Sequence, residues 1–161
     1  MTSLELCRQE RAKELARFVK VLKAVPGGRP DYRPDPKSRT ATEIAWLLAQ
    51  SEGALLKLIE TGEIRWSESK PDGSLDSIVA AFEKNAQAVN EKIGKLDEAA
   101  WDKTVRFVMD GAPPWEDTLG AFVWGFLFDS IHHRGQLTTY LRPMGGKVPA
   151  VYGPSADDSG Q

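Results

Sequence analysis

The sequence predicts an all-α fold, a four-helix bundle with long loops and an irregular C-terminal tail. Two observations carry this. Apolar residues recur every three or four positions in four segments of roughly 20 residues, and clusters of proline and glycine separate those segments. A third supports it: no stretch alternates strongly enough to demand a strand. The 161 residues suit one domain, here taken as residues 1–161 with residues 143–161 as the tail.

The first helix is expected over residues 3 to 25, where Leu15, Phe18, Leu22 and Val25 are spaced 3, 4 and 3 apart among charges. Pro26-Gly27-Gly28 ends it, and Pro30, Pro34 and Pro36 impose an extended connector. The second helix starts near Thr40 or Thr42, ahead of Glu43, and runs on Ile44, Leu47, Leu48, Leu55, Leu58 and Ile59 to Thr61-Gly62. Residues 67–74 read as a loop around Pro71 and Gly73. The third helix follows on Ile78, Phe82, Val89 and Ile93, widened by Val79 and Ala86. Asp97 to Asp102 reads as a short extra turn, and Thr104 to Pro114 as a long, partly extended loop. The fourth helix begins around Glu116 to Thr118 and stops before Pro143. The Gly-, Pro- and Asp-rich tail is expected to be mobile at its end.

Composition narrows the function. A net charge of −2 offers no basic field for nucleic acid. The single cysteine, Cys7, excludes an internal disulfide and suits a reducing, cytoplasmic setting. The charged N-terminus does not read as a signal peptide, and no segment approaches the length of a membrane helix. No phosphate loop, Cys-x-x-Cys pair, nucleophile elbow or dinucleotide fingerprint is present.

The informative segment is the fourth helix, TLGAFVWGFLFDSIHHRGQLTTYLRP. Its core stripe counts as Leu119, Phe122, Phe126, Asp129, His133, Gln136 and Tyr140. Asp129 and His133 are four apart and share one helical face, with His132 about 100° away. Two readings fit this spacing. The pair supplies two ligands to a divalent ion, or Asp129 orients His133 within a polar pocket. Arg134 and Gln136 suit a link from this helix to the tail, Gly135 suits close packing, and Arg142 suits the helix C-terminus. The second apolar face, Trp124 with Phe128 across Gly125, suggests a subunit interface. Trp115, after two prolines, is a candidate pocket lid, and Cys7 reads as a small core hydrophobe.

The run IHHRGQLTTYLRPMGGKVPAVYG resembles the closing signature of the DinB/YfiT-like family. The phrase YRPDPKSRTATEIAWLLAQSE resembles that family's lead into its second helix. The resemblance spans about Val25 to Gly153 and implies an up-down-down-up bundle, often a homodimer. It also implies a metal held by three histidines, one on the second helix and two on the fourth. Here His133 matches the later fourth-helix position, Asp129 replaces the earlier one, and Leu47 stands where the second-helix histidine belongs. A rearranged site would recruit one of Glu43, Gln50, Ser51 or the neighbouring His132 as its further donor. Such a mixed donor set suits zinc, nickel or manganese.

The expectation is therefore a DinB-like bundle with a degenerate metal site that binds a small molecule or a partner. The rival is a metal-dependent thiol S-transferase of the bacillithiol, mycothiol or glutathione type, with Arg134 neutralising an anionic co-substrate. A thiol-independent metal-dependent hydrolase rests on the same two residues, Asp129 and His133.

Overall fold

A computed structural model describes residues 1–160: five helices and one small three-stranded sheet. The four long helices are α1 (Ser3–Lys23), α2 (Ala41–Thr61), α3 (Leu75–Gly94) and α5 (Leu119–Leu141), and α4 (Glu98–Trp101) is a single turn. Their starts are chemically marked. Thr2 with Glu5 and Thr40 with Glu43 form reciprocal capping boxes that satisfy backbone N–H groups at the first turns of α1 and α2. At the other end of α2, Gly62 takes φ 77° and donates its N–H to the Leu58 carbonyl, a left-handed stop that favours glycine.

α1 and α2 each pack against both α3 and α5. Phe18, Val21 and Leu22 meet Ile44, Leu48, Ile78, Phe82, Leu137 and Leu141 in one half of the core. Leu4, Cys7, Leu55, Val89, Ile93, Trp101 and Val123 fill the other. Trp101 packs so closely on Gly120 that a Cβ there would lie 2.4 Å from the indole. Glycine at that position lets the short turn α4 seat against the start of α5.

The all-α expectation is corrected by the sheet. β1 (Glu63–Trp66) pairs in parallel with β2 (Thr104–Met109), and β2 pairs antiparallel with β3 (Trp115–Thr118). Residues 104–114, expected as a loop, thus carry β2 and the turn of a hairpin, and Glu116 to Thr118, expected to open the last helix, belong to β3. The strands are short, and along β2 the deeply buried side chains are Val105 and Val108, a spacing of 3. That pattern hides a strand whose period is two. The β1–β2 partners lie about 40 residues apart in the chain (Glu63 opposite Arg106), and parallel pairing at such separation leaves no local mark.

The expected stripe on the last helix is also corrected. Asp129 and Gln136 are exposed and His133 is half-buried. Leu119, Phe122 and Tyr140 of the expected stripe are buried, and they share the core with Val123, Leu127, Ser130, Arg134, Leu137 and Leu141. Periodicity favoured the aromatic positions and could not admit a buried arginine. Arg134 is admitted because Glu14 of α1, itself buried, receives its guanidinium. A second buried pair lies about one turn earlier on α1, where Arg11 donates to Glu52 at 2.6 Å and to Asn90 at 2.9 Å.

The described part of the tail is fastened by several contacts. Asp157 accepts from Arg142 and from the Val148 N–H, both at 2.9 Å, and Asp158 pairs with Lys20 at 2.8 Å. Ser155 donates to the Val148 carbonyl and accepts from the N–H groups of Asp157 and Asp158. Arg142 therefore serves the tail. Gly135, where a Cβ would meet nothing within 4 Å, faces open space in place of the close packing expected of it.

These contacts make stability depend on acid. The Lys20 ammonium, then the Ala150 and Gly160 N–H groups, hold Asp158 well below the usual carboxylate range. The Val148 N–H and Arg142 do the same for Asp157. Burial pushes Glu14 upward, but hydrogen bonds from Arg134, Arg17 and Tyr152 outweigh it and lower its pKa. Each group binds protons less readily folded than unfolded. Their stabilisation is complete above about pH 4.5 and is lost as pH falls toward the lowered folded values. Melting temperatures between about pH 6 and pH 3 are expected to fall steeply, and Asp158→Asn to flatten that fall. A wild-type curve that is level over the same range contradicts this linkage.

Candidate functional site

Thr118, the last residue of β3, caps α5 by accepting the Ala121 N–H on its hydroxyl, so the helix leaves β3 without a linker. This junction turns the sheet over the first half of α5. Phe107, in the middle of β2, faces Phe122 and Phe126 of α5 at centroid distances of 6.0 and 6.1 Å. Trp66 of β1 stacks on Phe107 at 6.5 Å, and Trp115, opposite Phe107 in the β2–β3 register, packs on Phe122 at 4.9 Å. The sheet is thus the support of an aromatic wall.

Between this wall, α2 and α5 lies a cavity of about 390 Å³. Leu47 and Ser51 come from α2, and Gly125, Asp129 and His133 from successive turns of α5. Arg39, just before the Thr40 cap, and Glu68, just after β1, complete its polar end. Glu68 is placed by its own loop, where Gln50 donates to the Ser67 carbonyl at 2.7 Å and Trp46 to the Ser69 carbonyl at 3.0 Å. Arg39 then donates to both oxygens of Glu68, at 3.1 and 2.7 Å. The Glu68 hydrogen bond raises the pKa of Arg39 further, against burial.

The structure brings Leu47, Asp129 and His133 into this one cavity. Leu47 is buried, Asp129 is well exposed, and His133 Nε2 lies 3.5 Å from Asp129 Oδ2. On its other side, His133 Nδ1 donates to Gln136 Oε1 at 2.9 Å, and Gln136 Nε2 donates to His132 Nε2 at 3.0 Å. His132 lines a separate groove beside Gln136 and Tyr140, apart from the Asp129–His133 wall. Among the described residues, no group of three or more His, Cys, Asp or Glu side chains is placed to hold a metal ion.

Arg134 does not line the cavity. Its guanidinium lies over the Phe18 ring at 4.6 Å and donates to Tyr152 of the tail at 2.6 Å, so it links α5 to the tail. Gln136 holds the two histidines and makes no such link. Trp115 is exposed and forms part of the cavity rim. Cys7 is fully buried, and burial pushes its thiol up to about 11, which leaves it inert at neutral pH. Arg39, Glu68, Trp66 and Phe107 were not expected at the site. They come from a connector and two strands, and the Trp-containing run Glu63–Trp66 was the one available hint.

A mostly helical domain with a small sheet closing a mixed aromatic and polar cavity is the class of protein these features define. The DinB family profile matches residues 2–161, and the chain belongs to the DinB family. It is similar in fold to a DinB-like protein from Bacillus cereus, with a TM-score of 0.76 at 20% identity, covering 92% of this chain and 97% of that one. A DinB-like protein from Bacillus subtilis gives a TM-score of 0.68 at 17% identity, covering 88% and 93%. No curated protein matches the chain. Among the described residues, no helix is long and apolar enough to cross a membrane.

Proposed function

We propose that this DinB family member binds a small organic molecule in the cavity beneath its aromatic wall, and that its metal site is degenerate. The observation that carries the reading is Leu47. It lines the same cavity as Asp129 and His133 and brings a hydrocarbon where a third donor is needed. Protein-built zinc sites use at least three side-chain ligands, and the other nearby carboxylate, Glu68, is already held by Arg39. The residues present therefore do not fit a metal, and no reaction step is derived through one. What remains suits a ligand: about 390 Å³ of largely apolar space with a few convergent polar groups.

The rival reading, a metal-dependent thiol S-transferase or a hydrolase, has the Asp129–His133 contact in its favour and lacks the third donor. In the preferred reading the four long helices form the up-down-down-up bundle, in keeping with α1 and α2 each lying against α3 and α5. The protein works in the cytoplasm, consistent with its lone buried cysteine. It pairs with a second copy through the exposed Phe128, stacked on Trp124 at 5.5 Å.

The test is occupancy of the cavity. A Cβ on Gly125 meets nothing within 4 Å, so Gly125→Trp fills the space without disturbing the helix. With chelator-treated protein, 4-phenylbutanol is expected to shift the indole N–H signals of Trp66 and Trp115 saturably in NMR titrations. Gly125→Trp is expected to weaken that binding at least about tenfold. The absence of saturable shifts in the wild type contradicts the reading.

A further inference from the structure

We propose that the ligand of this cavity is an organic ammonium compound, an aromatic or aliphatic body ending in a protonated amine. The inference rests on the small-molecule reading above and names the chemistry that the site selects.

Charge is the first reason. Arg39 and Glu68 cancel one another through two hydrogen bonds, at 3.1 and 2.7 Å. Among the described residues, Asp129 is in direct contact with the imidazole of His133 and with no lysine or arginine, and Arg39, bound to Glu68, acts on it only at longer range. The polar end thus carries a net negative charge. An anionic head group would meet two carboxylates, and the one arginine already gives two of its donors to Glu68. A cationic head group meets a free carboxylate.

The direction of the hydrogen bonds is the second. His133 donates from Nδ1 to Gln136 Oε1, so the neutral ring keeps its lone pair on Nε2. That lone pair sits 3.5 Å from Asp129 Oδ2, a second acceptor. Two acceptors side by side on a cavity wall lack a donor. An ammonium group brings up to three N–H donors and the charge that Asp129 lacks, whereas a hydroxyl brings one donor and no charge.

The aromatic lining supplies the third. Trp66, Phe107, Trp115, Phe122 and Phe126 line the same cavity and pack on one another. Such rings pack an apolar body, and their negative faces attract an organic cation held near them. Charge, donor pattern and aromatic lining select one class of ligand together.

Three probes of one shape separate the possibilities: 4-phenylbutylammonium, 4-phenylbutanol and 4-phenylbutyrate, each titrated into chelator-treated protein just above neutral pH. The ammonium probe is expected to bind at least about tenfold more tightly than the alcohol, and the carboxylate most weakly. Asp129→Asn, an exposed position on α5, is expected to bring the ammonium affinity within about threefold of the alcohol's. Equal affinities for the ammonium and the alcohol in the wild type overturn the ammonium assignment and leave the small-molecule reading standing. Tighter binding of the carboxylate also overturns it. If no probe binds, both readings fall. An ammonium preference that survives Asp129→Asn overturns the role given to that carboxylate.

Discussion

Arg134→Met is expected to destabilise the protein by about 3–5 kcal/mol, the range for removing one member of a buried ion pair. The guanidinium is buried beside an equally buried Glu14, donates to Tyr152 at 2.6 Å and lies over the ring of Phe18 at 4.6 Å. Tyr152 in turn donates to Glu14 at 3.1 Å, which closes a network over α1, α5 and the tail. In the variant, Glu14 keeps only Tyr152 and the half-exposed Arg17 as partners. Native domains hold about 5–15 kcal/mol in total, so the loss should be plain in urea unfolding at neutral pH. The double variant Glu14→Met with Arg134→Met should recover most of the loss, because it removes both charges and fills their space. A single variant that loses less than about 1 kcal/mol, or a double variant that loses the sum of the two single ones, contradicts the network. Probe binding in the cavity should survive in either variant, since Arg134 does not line it.

Leu47→His is expected to raise zinc affinity about 100-fold or more over the wild type, equivalent to about 2.7 kcal/mol. The reason is geometric. Leu47 of α2 and the Asp129–His133 pair of α5 line one cavity, and an imidazole at position 47 adds the third donor that a zinc site requires. The substitution also places a polar ring where Leu47 is 5% exposed, so some stability is lost without metal and regained with it. Calorimetric titration and metal-dependent melting give the two readouts. Unchanged zinc affinity would mean that the cavity wall has repacked around leucine and that position 47 no longer faces the pair.

The helical frame was readable because its signals are local. Thr40 with Glu43 starts α2, Gly62 ends it, and Ile78, Phe82, Val89 and Ile93 trace the inward face of α3. What escaped were contacts between distant residues. Arg11, Glu14 and Arg134 lie on inward stripes, where periodicity expects hydrocarbon, and only their partners across the bundle make that position tolerable. The β1–β2 pairing has the same character, as do the Asp157 and Asp158 contacts that hold the tail. At the site, the i, i+4 spacing joined Asp129 to His133, and the family resemblance marked Leu47. The other wall could not be foreseen, because Phe107, Trp66 and Glu68 converge only once the sheet has formed. His132 shows the limit of adjacency on a helix. One residue of rotation turns it into a different groove from His133.

The proposed reading has the cavity serve an organic ligand and hold no metal, and metal content bears on that most directly. Tag-free protein should be measured by elemental analysis, then chelated and titrated with zinc, nickel and manganese by calorimetry. Metal far below one equivalent and no tight rebinding are expected. Near-stoichiometric metal that rebinds tightly, and is lost in His133→Ala, would contradict the ligand-binding reading and move the protein to the metal-dependent one.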